Sequence, residues 1–301
     1  MYTYASKKCI REDIRMNFNA FTREIEDNGW AVHGVEVYEK GVLTHSFRDT
    51  RNHLYDLYSA TKSVLSIALG ILYDRGLVDL HASILTYMPK EKVAALGEKQ
   101  HETFEKITVE RLLTMSVDGF PFRAEGDSFL DFSLACPIEQ PDEKKFNYNN
   151  INAFLIGVAL TEILGSDLGA FIEKEIFEPM GITEYEYGRS PEGYFYGASM
   201  IKLTVHDFSK FGLMLCNGGV WEGRRIISEE YVRLATSAQI AVREGGYGYF
   251  FWQLRQGGFR LSGKWGQKCF CFPKRGLVIT YLANMEEGSD AVWQSMERNL
   301  L

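Results

Sequence analysis

Ser59 and Lys62 stand three residues apart in LYSATKSVLSIALGILYDRG, residues 57–76. On a helix, residues three apart are neighbours, so a hydroxyl and an amine are set side by side. Val64, Leu65, Ile67, Ala68, Leu69, Ile71 and Leu72 leave no polar face, which predicts a helix buried inside a domain. Arg75 and a left-handed Gly76 are expected to close it. The chemistry is that of a nucleophile with a base beside it, at the helix end that favours developing negative charge. The bland alternative is a serine helix cap next to a surface lysine. A lysine in the first turn of an otherwise apolar helix is badly placed for the helix dipole and costly to desolvate. Burial disfavours its charged form, which is what a base requires. A second Ser-x-x-Lys, Ser199 to Lys202, lies in a Gly-Ala-Ser loop before a cap at Thr204. It opens no buried helix and is set aside as a chance match.

Two further groups carry side chains suited to the same reaction. Tyr148-Asn149-Asn150 is the one Tyr-x-Asn in the chain and precedes an apolar helix. A phenol near an amine can relay a proton, and a carboxamide can hold both a lysine and a substrate amide. The competing reading is an asparagine-rich cap. Lys264-Trp265-Gly266 stands at the entry to a late strand, where a glycine lets a substrate backbone approach the sheet edge. Lys274-Arg275-Gly276 has the same form but follows Pro273 and reads as a turn. GFRLSGK, residues 258–264, nearly spells a phosphate-binding loop, but Trp265 stands where a magnesium-binding Ser or Thr is needed and a strand follows. There is no Gly-x-Ser-x-Gly and no His-Glu-x-x-His. The six histidines are scattered, and His206, inside a capping box, reads as structural.

The elements that must position these groups follow from periodicity. Residues 11–28, with Ile14, Phe18, Phe21 and Ile25, predict an amphipathic helix. Trp30 to Tyr38 and Val42 to Arg48 alternate around Glu39-Lys40-Gly41, a β-hairpin. From Leu77 to about residue 240 the chain reads as helical pieces and loops. Thr108, Thr204 (with Asp207) and Ser228 are expected caps, and Asn150 to Leu164 and Asp167 to Met180 expected helices. Residues 116–145 read as a long loop. Tyr247 to Arg255, Phe259 to Leu261, Lys268 to Phe272 and Leu277 to Leu282 read as strands, and the residues after Ser289 as a helix. The fold class is therefore α+β: an antiparallel sheet built from both chain ends and flanked by helices. Residues 1–76 and 241–301 form a sheet lobe of a single domain, and a mostly helical lobe, 77–240, is inserted between. The functional cleft is expected between the lobes, with Phe120, Phe122, Phe129, Tyr194, Phe195 and Tyr196 lining it.

The 301 residues carry 33 basic and 40 acidic side chains, a net charge of −7, and no basic run, which excludes a nucleic-acid partner. No apolar run reaches the length of a membrane span or a signal peptide core, so no membrane partner and a cytoplasmic location are expected. Five scattered cysteines suit a reducing compartment. Cys269 and Cys271 alternate with Phe270 and Phe272, and two apolar-facing thiols are expected rather than a metal site. No cofactor is called for, and oligomeric state is not legible.

Ser-x-x-Lys, Tyr-x-Asn and Lys-x-Gly, in that order, resemble the serine β-lactamase and penicillin-binding protein superfamily. The Tyr-x-Asn form points to its class C-like branch, which includes esterases, D-peptidases and 6-aminohexanoate-oligomer hydrolases. The likeness extends over roughly residues 30–285. The resemblance implies a β-lactamase/transpeptidase-like fold and an acyl-enzyme formed at Ser59 on a small ester or amide. Lys62 and Tyr148 would share the proton traffic, and either could be the base. Asn150 would hold substrate or Lys62, Lys264 would supply positive charge, and Gly266 would allow close approach. The backbone N–H groups of Ser59 and Gln267 would form an oxyanion hole. The chain departs from the pattern at Trp265, where β-lactam-recognising members carry a small hydroxyl residue. That removes a hydrogen bond to a substrate carboxylate and adds bulk, so an ester or amide is expected before a β-lactam. The rival from another class is a catalytically inactive ligand-binding protein on the same scaffold, for which Lys62 would point away from Ser59.

Overall fold

A computed structural model describes residues 16–243 and 245–301. At its centre is an eight-stranded antiparallel sheet of β1 (Val32–Glu39), β2 (Val42–Phe47), β3 (Ile240–Val242), β4 (Gly245–Tyr247), β5 (Trp252–Gln253), β6 (Phe259–Gly263), β7 (Gln267–Phe272) and β8 (Leu277–Ala283). The spatial order is β2-β1-β8-β7-β6-β5-β4-β3. β1 lies between its hairpin partner β2 and the last strand β8, with Val35 opposite Tyr281 and Val37 opposite Ile279. The two ends of the chain thus meet inside one sheet, as expected.

The helices that matter most are α1 (Phe18–Asp27), α2 (Thr61–Asp74), α3 (Ile151–Leu164), α4 (Val205–Cys216) and α5 (Ser289–Leu300). α1 and α5 pack together on one face of the sheet, where Phe21, Ile25, Val292 and Met296 share a core with Val35, Val37, Phe270 and Ile279. α4 covers the other face, bringing Phe208 and Phe211 into the main core with Cys269, Cys271 and Val278. A strand covered on both sides needs no polar alternation; accordingly every residue of β8 is buried. The thiols of Cys269 and Cys271 share the α4 side, 3.9 Å apart. His206, at the start of α4, places Nδ1 3.1 Å from Glu36 Oε1 on β1. Burial alone raises the Glu36 carboxyl, but hydrogen bonds from His206, Thr50 and Tyr38 outweigh it and hold the pKa below its usual value. The histidine therefore has a structural task, tying helix to sheet.

Most of the expected elements are present. α2 is buried from Thr61 to Leu72, and Gly76 follows it with φ +69°. The side chains of Thr108, Thr204 and Ser228 accept from the N–H groups of Arg111, Asp207 and Tyr231. The first helix starts at Phe18, capped by Asn17; Ile14 and the rest of residues 11–15, like Cys9, lie outside the described residues. Two expectations are corrected. Tyr247 to Arg255 is not one strand: the left-handed Phe250 (φ +66°) turns the chain between β4 and β5. The long loop contains a short helix, Phe129–Leu134, capped by Ser128, whose Ser-x-x-Asp signal stands in the sequence. Among the described residues no single helix is long and apolar enough to cross a membrane.

One contact fixes the segment that carries Ser59 to the sheet. Residues 58–60 form a 3-10 turn packed against β6 and β7. Gly263, the last residue of β6, abuts the Leu57 carbonyl, where an added Cβ would stand 2.1 Å from the oxygen. A main-chain atom cannot swing aside, so Gly263→Ala must push the turn off the sheet. It is expected to lower stability by about 1–3 kcal/mol, the usual cost of overpacking. Urea unfolding checks this; a loss below roughly 0.5 kcal/mol, typical of an unconstrained surface site, would contradict it.

Candidate active site

The site begins at the turn that feeds α2. Tyr58 has φ +46°, an uncommon conformation for a residue with a side chain. The left-handed Tyr58 leads the chain into the 3-10 turn that carries Ser59, which is half-buried. The turn is held from the far side by Ile201, whose carbonyl accepts from Leu57 N–H at 2.9 Å and whose N–H donates to Thr61 Oγ1 at 3.2 Å. Those two bonds also bring the Ala198 carbonyl over the start of α2.

Lys62 is 1% exposed and lies among the apolar side chains of α2. Its Nζ meets three acceptors: Ser59 Oγ at 3.0 Å, Asn150 Oδ1 at 2.8 Å and the Ala198 carbonyl at 2.8 Å. Burial disfavours the ammonium and pushes its pKa down to about 7. Two of the three acceptors are carbonyl oxygens, which accept only. A neutral amine has two N–H donors and one lone pair. It can satisfy both carbonyls and turn the lone pair to the Ser59 hydroxyl; an ammonium could donate to all three, and it is the burial that favours the deprotonated form.

Asn150 stands just before α3, at its N-cap position, where a side-chain cap would be expected. Its own side chain makes no capping bond. The cap is Asn149, whose Oδ1 accepts from Asn152 N–H at 2.9 Å. The cap reading of this asparagine-rich segment is therefore correct for Asn149, and Asn150 is left to hold Lys62. The segment is fixed by Asn147 N–H to the Met115 carbonyl at 2.8 Å and Asn150 N–H to the Phe122 carbonyl at 2.7 Å.

Tyr148 projects between these anchors. Its ring is 5.5 Å from Trp252 and 6.2 Å from Tyr247, and Lys62 Nζ lies 5.2 Å from its centroid. Burial pushes the phenol up to about 12, with the neighbouring Ser59 acting in the opposite sense. Ser59, Lys62, Tyr148 and Asn150 are thus brought together from two separate stretches of sequence.

Lys264-Trp265-Gly266 forms a 3-10 turn between β6 and β7. Trp265 (φ +60°) and Gly266 (φ +96°) are both left-handed. The missing Cβ of Gly266 would lie 2.9 Å from Ala283 Cβ, so the glycine already serves the turn and its packing. Lys264 is exposed, and its Nζ rests 3.9 Å from the Trp265 ring centroid and 4.7 Å from that of Tyr58. The Tyr58 and Trp265 rings meet edge to face at 5.0 Å. Its charge is engaged with two aromatic faces at the mouth of the site. The Gln267 side chain is committed to main chain, donating to the Ala283 carbonyl at 2.6 Å and accepting from Ala283 N–H at 3.2 Å.

Some placements differ from expectation. Phe129 and Tyr196 line a cleft next to the site, whereas Phe120 and Phe195 are buried in the core. Lys202, of the second Ser-x-x-Lys, pairs with Glu186 at 2.6 Å, which fits its dismissal. Sequence reasoning missed Ala198 and Tyr58. The first contributes a main-chain carbonyl, which no residue type can signal. The second carries no motif, although its place beside Ser59 is a signal in itself. Among the described residues no group of three His, Cys, Asp or Glu side chains could hold a metal ion.

Comparison with known proteins agrees with this geometry. Protein Rv1367c of Mycobacterium tuberculosis is 24% identical over 269 residues, covering 70% of this chain and 67% of that protein. The structure of a class C beta lactamase from Rhodobacter sphaeroides superposes with TM-score 0.71 at 15% identity, over 93% of this chain and 98% of that one. A family VIII carboxylesterase superposes with TM-score 0.70 at 17% identity, over 94% and 96%. The sequence model of the Beta-lactamase family matches residues 27–295. Matched over most of its length, the chain belongs to the beta-lactamase family.

Proposed function

We propose that this protein is a serine hydrolase that forms an acyl-enzyme at Ser59 on an ester or amide substrate. The observation that carries this reading is the buried Lys62 amine, 3.0 Å from Ser59 Oγ, with its other two hydrogen bonds directed to carbonyl oxygens. An inactive binding protein would not need to bury an amine against a hydroxyl. Family membership and the esterase and lactamase neighbours support a hydrolase.

The steps follow from the geometry. Ser59 Oγ attacks the substrate carbonyl as Lys62 Nζ takes its proton. The developing oxyanion lies between the backbone N–H groups of Ser59 and Gln267, at the N-terminal end of α2. The C–O or C–N bond breaks, and the leaving group takes a proton through Tyr148, whose ring lies 5.2 Å from Lys62 Nζ. Water then attacks the acyl-enzyme with the same groups in reverse order. A phenol pushed up to about 12 stays protonated near neutral pH, which suits a donor and relay, whereas the amine at about 7 suits a base. Lys62 is therefore assigned as the base. Trp265 occupies the place of a hydroxyl residue and holds Lys264 by its ring, so a substrate carboxylate finds neither the hydroxyl nor an unengaged ammonium there. Esters and amides without a carboxylate at that position are the favoured substrates.

Three outcomes are expected. A fluorophosphonate probe should label the wild-type protein and fail to label Ser59→Ala, read by intact-protein mass spectrometry; equal labelling would refute the nucleophile. The active form of Lys62 is the neutral amine, so kcat/KM should fall about tenfold per unit as pH drops below about 7 and be flat above it. Lys62→Arg cannot lose its proton and should cost about 10²–10⁴ in rate at the plateau; an unchanged profile in that variant would exclude Lys62 as base. Trp265→Thr should raise nitrocefin turnover by about tenfold, the size of one recovered hydrogen bond to a charged group; no gain would mean that Trp265 does not set this preference.

A further inference from the structure

Beside Lys62 the surface opens into a cleft of about 600 Å³, lined in part by Arg123, Glu125, Phe129, Arg189, Tyr196 and Met200. Tyr196 in its lining interacts electrostatically with Asn150, and Asn150 in turn holds Lys62. The Phe122 carbonyl accepts from Asn150 N–H at 2.7 Å, which sets Arg123 next to the start of α3. Ala198, the third partner of Lys62, lies between Tyr196 and Met200 in the chain.

The lining has two characters. Its apolar part is open to solvent: Met200 is 46% exposed and Phe122, next to Arg123 in the chain, 61% exposed. Met200 is also held left-handed, at φ +79°, so the structure sustains local strain to keep it there. The charged part is uneven. Arg189 is engaged by both oxygens of Asp167, at 2.6 and 3.0 Å, and by the Gly193 carbonyl. Among the described residues Arg123 has no ion-pair partner. Burial raises the Tyr196 phenol, and the positive charge of Arg123 acts on it in the opposite sense.

We propose that this cleft receives an amphipathic arm of the substrate, an alkyl or aryl chain ending in a carboxylate, with Arg123 binding the carboxylate and Phe129, Tyr196 and Met200 flanking the chain. The inference rests on the hydrolase reading and adds a substrate class to it. A guanidinium without a partner offers a planar pair of donors that matches a carboxylate. Glu125 opposes it from the same wall, and its removal should strengthen the preference.

The test compares free acids with their methyl-capped counterparts in two ester series. One places the carboxylate on the acyl side, as in p-nitrophenyl monoadipate. The other places it on the leaving side, as in the hexanoyl ester of 4-hydroxyphenylacetic acid. Wild type should favour the free acid about tenfold or more in kcat/KM in at least one series. Arg123→Gln should bring that ratio to about one, Arg123→Lys should retain part of it, and Glu125→Gln should increase it. A wild-type ratio near one in both series, with the neutral esters still cleaved, would overturn this inference and leave the hydrolase reading standing. If neither series is cleaved and Ser59 takes no probe, the hydrolase reading fails. The cleft is then judged by calorimetric titration of Ser59→Ala with adipic acid monoanilide. Binding about tenfold tighter than its methyl ester, and lost in Arg123→Gln, supports the cleft; equal binding refutes it.

Discussion

The structure is arranged around the burial of one amine. Removing an ammonium from water costs several kcal/mol unless it is paired or neutralised. Among the described residues Lys62 has no carboxylate partner; it has a hydroxyl and two carbonyl oxygens. The low-dielectric surroundings of α2 and α3 and the absence of a counter-ion act together to lower its proton affinity. Each partner comes from a different part of the chain. Ser59 stands on the turn before α2, Asn150 opens α3, and Ala198 belongs to the segment clamped to that turn through Ile201. Displacing any one of the three leaves a buried polar group unsatisfied, so the amine also specifies how these segments meet.

Part of the backbone strain lies at the same place. Tyr58, Met200 and Trp265 are left-handed residues with side chains, and each flanks Ser59 or its neighbouring cleft. Such conformations persist only where the surroundings over-determine them. Here the surroundings are visible: β6 abuts the Leu57 carbonyl at Gly263, Ile201 holds both sides of the turn, and the Met285 N–H bonds to the Trp265 carbonyl at 3.0 Å. The sheet supplies rigidity, and the strained turns aim groups into the space between the sheet and the helical segments.

Much of this was legible in the residues. The largely apolar run after Lys62 read as a buried helix, and it alone separated the Ser-x-x-Lys at Ser59 from its double at Ser199. The strands at both chain ends, the caps at Thr108, Thr204 and Ser228, and the thiols of Cys269 and Cys271 followed from periodicity. The break at Phe250 was not legible, because a run of aromatics reads as a strand and the backbone turn has no glycine at its pivot. The stacking of Lys264 on Tyr58 and Trp265 was hidden because it joins residues two hundred positions apart. The Ala198 carbonyl could not be foreseen, since any residue carries one. The split of tasks between Asn149 and Asn150 needed coordinates, for either amide could serve as the cap.

The claim on which the account depends is that Lys62 is neutral when Ser59 reacts. It can be measured directly by following the Lys62 ε-methylene carbon by NMR against pH, with the resonance assigned by its loss in Lys62→Arg. The account predicts a titration near pH 7, well below the other lysines. A Lys62 that keeps its proton through pH 9 would contradict it, and would return the role of base to Tyr148.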